Sequence, residues 1–381
     1  MKVFINGTNN ANKGAELMFC AICQQLEKRY PGCEVIIPSY MESPYPSTKL
    51  VFRHRRFYKI IDLLAKYKIA GILRKLHLPY VFFLRNGIAP RDMDVIFLAH
   101  GYGYGDVWQK DADTGRIQRD YLKKLHNNGT KSIFLPQAFG PFTNPGSIAT
   151  GKAILDYADM ICAREETSYE HLKGLGGDIS NVCIYPDFTA NVEGTKGINI
   201  LRDAIVLIPN RRMITEAGVT VEDYCHLFEI MISWADKNGK DVVLFNHEAS
   251  GDLALCNEIN AYFGGKYKVF SGLSALDTKG ALSMAYAVVS SRFHGVANCL
   301  SSNVPVVATS WNNKYEMLFK DYGLEDMIID LKEPDSINRI LPRVLDLKKN
   351  SSMRAYINEK NKLYREKINE MWDQVFKLCE K

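Results

Sequence analysis

The stretch from Ala285 to Trp311, AYAVVSSRFHGVANCLSSNVPVVATSW, leaves this chain few folds to choose from. Ala287, Val288 and Val289 make a short β-branched run. The polar Ser290-Ser291-Arg292-Phe293-His294-Gly295 turns the chain, and Val296 to Leu300 continue as a helix of small and apolar residues. Ser301-Ser302-Asn303 closes that helix, and Val304 to Thr309 form a second buried strand. Strand, turn, helix and strand make one βαβ unit, the building block of a parallel sheet, so the expected class is α/β.

The turn inside that unit carries an arginine and a histidine two residues apart. A loop that leaves the carboxyl end of a parallel strand and opens a helix is where α/β proteins bind ligands. The helix N-terminus offers N–H groups and partial positive charge, which suit an anion. Arg292 adds a cation with bidentate geometry for phosphate or carboxylate, and His294 adds a hydrogen bond or a proton. The same two residues also fit a surface ion pair and a helix cap.

The βα rhythm runs through the whole chain. Met1 to Asn6 reads as a first strand, followed by a glycine- and asparagine-rich turn and a helix over Ala15–Tyr30. Further strands are expected at Glu34–Pro38, Asp94–Ala99, Ser132–Leu135, Met160–Ala163 and Cys183–Tyr185, with Pro136 to Phe142 as a rigid loop. Asp94–Ala99 runs into His100-Gly101-Tyr102-Gly103-Tyr104-Gly105. Its glycines allow close approach of backbone to a ligand, and Tyr102 and Tyr104 could stack on a sugar. Phe188 to Arg202 reads as a linker. A second alternating set then begins at Ala204–Ile208 and includes Asp241–Phe245, which leads into Asn246-His247-Glu248. The expected domains are 1–190, 200–350 and a C-terminal helix over 351–381 that could pack back on the first domain. Two such domains imply a cleft, and Arg164 and Arg292, each just after a strand, could reach one small dianion from opposite sides.

Composition narrows the function. A net charge of +5 over 381 residues implies no nucleic-acid footprint. The exception is local: residues 52–91 are strongly basic and interleaved with apolar residues, a pattern that fits an anionic membrane surface or a packed helix pair with a solvated basic face. The first residues, MKVFINGTNN, lack the apolar core of a signal peptide, and no apolar run is long enough to span a bilayer. The nine cysteines are scattered in apolar contexts, and Cys20 and Cys23 fall within a helical pattern without a second pair. Reduced buried thiols and a cytoplasmic location are therefore expected, at the inner face of the membrane where the basic stretch docks on it. No His, Cys or Asp cluster has metal-ligand spacing, so no metal and no cofactor are expected.

Four segments together resemble the polysaccharide pyruvyl transferase family. They are Asn12-x-Gly14-Ala15-Glu16, Leu135-Pro136-Gln137-Ala138-Phe139-Gly140-Pro141, Ala163-Arg164-Glu165-Glu166-Thr167-Ser168 with Pro186-Asp187 behind it, and Ser291-Arg292-Phe293-His294-Gly295 followed by Val304-Pro305-Val306 and Lys314. The chain departs from the family's pattern at Ala15 and Glu165, where Asp is common, and at Phe293, where Leu is common. The resemblance implies a GT-B-like pair of Rossmann-like domains. It also implies transfer of the pyruvyl group of phosphoenolpyruvate to two hydroxyls of a sugar, forming a cyclic ketal. On that reading Arg164, Arg292, His294 and Ser291 bind the donor. His294, Asp187 and Glu16 are the catalytic candidates, with Glu248 as a further base. Asn12, Gly14, Tyr102, Tyr104, Gln137, His247 and Lys314 face the acceptor, a sugar or a lipid-linked oligosaccharide. The alternative on the same fold is a glycosyltransferase with a nucleotide-sugar donor.

Overall fold

The computed structural model of the chain describes residues 1–37, 41, 43, 45, 49–50, 93–248, 250–310 and 314–380. The basic stretch 52–91, with the membrane-surface reading attached to it, lies outside the described residues, and so does the side chain of Lys314. The chain divides into two units. The first is Met1–Asn10, Met18–Thr189 and Lys367–Lys381; the second is Ala11–Leu17 and Ala190–Glu366. The turn at Asn12, Gly14 and Glu16, drawn with the first domain from its place in the chain, thus clusters with the second unit.

The first unit is built on a sheet of β1 (Lys2–Asn6), β2 (Glu34–Ile36), β3 (Lys49–Leu50), β4 (Val95–Leu98), β5 (Tyr102–Tyr104), β6 (Lys131–Phe139), β7 (Met160–Ala163) and β8 (Val182–Ile184). Its order is β3-β2-β1-β4-β6-β7-β8, with β5 beside β6, and the pairings are parallel. Every residue of β4 and β7 is buried. That is why these strands read as unbroken apolar runs rather than as alternating ones.

The rigid loop expected from Pro136 is instead the second half of β6. A proline lacks the N–H a ladder needs, so it survives in a sheet only where pairing is irregular. Here the register with β7 shifts between Phe134 and Gln137. The regular pairing with β4 ends at Leu98 opposite Phe134. Beyond it the Gln137 side chain takes over, donating to the Leu98 carbonyl at 3.0 Å and accepting from the His100 N–H at 3.2 Å.

The second unit holds β9 (Ile205–Ile208), β10 (Val242–Phe245), β11 (Lys268–Phe270), β12 (Ala287–Ser290), β13 (Val306–Thr309) and β14 (Ile328–Ile329). The order is β11-β10-β9-β12-β13-β14, all parallel. This is the doubly wound order in which the first strand lies at the centre and the chain leaves it in both directions. The expected linker is tightly held on this unit. A Cβ on Gly280 would lie 2.1 Å from the Thr195 carbonyl oxygen, and the Thr195 N–H donates to Leu276 at 3.1 Å.

The C-terminal helix Leu347–Cys379 starts in the second unit and ends in the first. In the first unit it is anchored by Trp372, which is fully buried. Its ring meets Phe97 and Phe188 edge-on at 6.3 and 5.8 Å and stacks on Phe376 at 5.6 Å. The indole N–H meets no acceptor among the described residues, so the residue stabilises by apolar contact alone. Trp372→Ala is expected to cost about 3–5 kcal/mol in denaturant unfolding. Trp372→Phe gives up no hydrogen bond and should cost much less. Equal losses in the two variants would contradict this account.

Candidate functional site

In the second unit β9 and β12 are neighbours, paired to their last residues, Ile208 and Ser290. The strand order reverses between them, and the crevice beyond such a point is where doubly wound sheets bind ligands. Two segments enter it. One is Pro209-Asn210, leading into helix Arg211–Ala217; the other is Ser291 to His294, leading into helix Phe293–Ser301.

The β12 turn is fixed from all sides. The Ser291 carbonyl accepts from the Tyr315 hydroxyl at 2.7 Å and from Asn210 Nδ2 at 3.0 Å. The Ser291 hydroxyl shares hydrogen bonds with the Tyr224 hydroxyl at 2.6 Å and Thr309 Oγ1 at 2.5 Å. The Ser291 N–H donates to Ile208 at 2.8 Å. Ser291 is therefore buried and occupied, and it positions the turn instead of touching the donor as its place in the motif had implied. Arg292 is the N-cap of helix Phe293–Ser301 and makes no side-chain cap.

The Arg292 side chain is held by two carboxylates. Asp252 Oδ2 accepts from Nε at 2.7 Å and from Nη2 at 2.5 Å, and Glu248 accepts from Nη1. Asp252 is buried, whereas the Glu248 side chain keeps 13% of its surface exposed. The second oxygen of Asp252 accepts from the Arg211 N–H at 2.9 Å. One carboxylate on the helix after β10 thus ties the segments after β9 and β12 together.

His294 lies against the helix Lys13–Arg29. A Cβ on Gly14 would stand 2.1 Å from both Cε1 and Nδ1 of the imidazole. Gly14 is therefore a glycine because a ring occupies its side-chain space, and it has no side chain with which to meet an acceptor. Asn12 Oδ1 accepts from the Ala15 N–H at 3.0 Å. Glu16 binds Lys13 Nζ at 2.8 Å and the Ala275 N–H at 3.2 Å.

His247 follows β10 and is 4% exposed, yet neither ring nitrogen has a hydrogen-bond partner among the described residues. Burial, then the positive charges of His294, Arg292 and Lys13, push it down to about 3, so the ring is neutral near pH 7. A histidine whose folded value lies below its unfolded one weakens the fold as pH falls. The loss begins near the unfolded value of about 6.5 and is complete below the folded one.

The remaining expected residues lie in the first unit. Arg164 follows β7 and binds Glu165 at 3.3 Å and Asp187 at 3.8 Å. Asp187 also accepts from the Thr189 N–H and hydroxyl at 3.0 and 2.6 Å. Tyr104 is a core residue, stacked on Phe139 and edge-on to Phe134. Neither it nor the buried Gln137, spent on the β4 backbone, presents itself to an acceptor. Tyr102 is different: it is 37% exposed and stands 6.4 Å from Trp108, itself 56% exposed. The loop beneath is fixed by Gln109, which bonds Gly103 and Gly105 at 2.9 and 2.7 Å.

The sequence reading passed over Asn210, Tyr224, Asp252, Thr309, Tyr315 and Trp108. For Asn210 a signal existed, because it stands two residues after the first strand of the second set. For Asp252, in the first turn of helix Ser250–Tyr262, there was none.

Two variants test this geometry. Asp252→Ala leaves a guanidinium that is largely buried without its main partner and is expected to cost about 3 kcal/mol in denaturant unfolding. Gly14→Ala should cut turnover at least about tenfold by displacing His294. An ordinary Gly→Ala change inside a helix adds about 1 kcal/mol of stability, so a gain in stability with full activity would contradict the contact.

The fold is shared with known enzymes at low sequence identity. A trehalose-6-phosphate synthase, OtsA, aligns over 100% of this chain and 99% of its own with a TM-score of 0.56 and 11% identity. The UDP-GlcNAc 2-epimerase of Methanocaldococcus jannaschii aligns over 92% and 94%, with a TM-score of 0.55 and 12% identity. Anabaena Alr3699/HepE, solved in complex with UDP, aligns over 100% and 99%, with a TM-score of 0.54 and 9% identity. These likenesses establish a GT-B-like α/β fold. A search of curated proteins finds no match. Among the described residues no helix is long and apolar enough to cross a membrane, and no group of three or more His, Cys, Asp or Glu could hold a metal. The sequence pattern of polysaccharide pyruvyl transferases matches residues 12–313, which include the β12 turn and both of its carboxylate partners, and the chain belongs to that enzyme family.

Proposed function

We propose that the protein transfers the pyruvyl group of phosphoenolpyruvate to two hydroxyls of one sugar, in a surface polysaccharide or its lipid-linked precursor. The observation that carries this reading is the β12 turn. It sets a guanidinium and an imidazole two residues apart at a helix N-terminus that has no side-chain cap. Phosphoenolpyruvate is small and carries both a phosphate and a carboxylate, which suits that combination.

In the reaction a proton adds to the methylene carbon, and the neighbouring carbon gains oxocarbenium character. One sugar hydroxyl adds there and loses its proton. The bond to the phosphate oxygen breaks, and the second hydroxyl closes the cyclic ketal. Of the two hydroxyl protons lost, one balances the new methyl group and the other leaves with phosphate. Arg292 and the helix N-terminus stabilise the charge that builds on the departing phosphate. His294 is placed to donate to that phosphate or to supply the proton. Glu248 must release at least part of its hold on Arg292 for the donor to take its place.

For the acceptor the exposed pair Tyr102 and Trp108 supplies aromatic faces suited to the apolar face of a sugar ring. Trp108→Ala is expected to raise the acceptor KM several-fold with little change in kcat; an unchanged KM would remove this platform.

The donor is tested by thermal unfolding with and without phosphoenolpyruvate. At about 100 times its dissociation constant, a ligand that binds only the folded state adds roughly 2.7 kcal/mol. The expected result is a shift in the wild-type protein that is lost in Arg292→Ala. Protection by a nucleotide sugar, with none from phosphoenolpyruvate, would replace this reading with a glycosyltransferase.

A further inference from the structure

The anion site has an unbalanced charge. Lys13 and Arg292 bring two positive charges, whereas Glu16, Glu248 and Asp252 bring three negative ones that are spent on them. With neutral histidines the cluster is net negative, which is a poor place for a dianion. The histidines decide the sign. His294 belongs to the turn itself. His247 is the member for which no contact among the described residues gives a reason: it is 4% exposed, and both ring nitrogens lack a partner there. A buried polar group left unpaired is costly, so such a group calls for an explanation.

We propose that His247 is a ligand of this anion site, hydrogen-bonding an oxyanion held beside Arg292 and His294 and taking up a proton as that anion enters. The inference rests on reading the β12 turn as an anion site, though not on which anion is the natural donor. The charges that act on the ring come from three residues: His294 and Arg292 on the β12 turn, and Lys13 on the first helix. The carboxylates that face the same cations are Glu248 and Asp252, which bind Arg292, and Glu16, which binds Lys13. Before the anion arrives, burial and these cations hold His247 neutral. A dianion in their midst adds negative charge beside the ring and favours the imidazolium, which then donates through a ring N–H. The site would thus bind dianions more tightly at mildly acid pH than at alkaline pH.

Sulfate is the right probe, since it is a dianion that does not itself titrate near neutrality. Calorimetric titration of the full chain at pH 6.5, in two buffers of different ionisation enthalpy, counts the protons taken up. The wild-type protein is expected to bind sulfate with net proton uptake. His247→Asn should bind it about tenfold more weakly, as for loss of a hydrogen bond to a charged group, and should lack part of that uptake. Equal affinity and equal uptake in the two proteins would overturn the inference, as would failure of the wild-type protein to bind sulfate. Should His247→Asn not fold, the histidine ring resonances of the wild-type protein decide. A buried ring that moves from its neutral to its imidazolium position with sulfate supports the proposal, and rings that do not respond refute it. Phosphoenolpyruvate is titrated alongside. Binding that is alike in both proteins removes the role of His247 and leaves the donor reading; sulfate binding with proton uptake but no phosphoenolpyruvate binding does the reverse.

Discussion

The carboxyl edge of the second sheet depends on one ion pair, Arg292 with Asp252. An arginine side chain carries about 2 kcal/mol of rotamer entropy and does not hold a fixed direction unaided. Asp252 fixes Nε and Nη2, the Ser291 network fixes the backbone beneath, and Glu248 closes over Nη1. Because the other oxygen of Asp252 binds the Arg211 N–H, the same carboxylate also sets the segment after β9. The guanidinium is thus oriented before any ligand arrives, and this is the kind of preorganisation that favours charge developing in a transition state.

The two carboxylates play unequal parts. Asp252 is buried and bound on both oxygens, so it belongs to the scaffold. Glu248 is partly exposed and bound through Arg292, so an incoming anion competes with it directly. Around them the histidines carry the adjustable charge. His294 is seated in the space that Gly14 leaves open, and His247 is buried nearby.

Much of this could be read from the sequence, and the rest could not, for reasons that trace to particular residues. The βαβ unit at Ala287–Thr309 was legible because parallel strands buried on both faces leave unbroken apolar runs. The turn within it stood out because Arg292 and His294 are polar between two such runs. Asp252 gave no signal, since its partners Arg211 and Arg292 lie 41 and 40 residues away in the chain. Tyr104 and Gln137 were misjudged because a glycine-rich turn and a proline look the same whether the neighbouring side chain points to a ligand or into the core. Pro136 looked like a strand end, but the Gln137 amide substitutes for the missing ladder bonds. Gly14 was noticed as part of a motif, yet its reason, the imidazole lying on it, comes from a residue 280 positions later.

The central claim is that the β12 turn, held by Asp252, receives the phosphate-bearing donor. The most direct measurement is a crystal structure with phosphoenolpyruvate bound. The account predicts the donor phosphate on Arg292 and the N-terminus of helix Phe293–Ser301, with Asp252 still paired and Glu248 displaced. A donor bound elsewhere, with Arg292 still closed on both carboxylates, would contradict it.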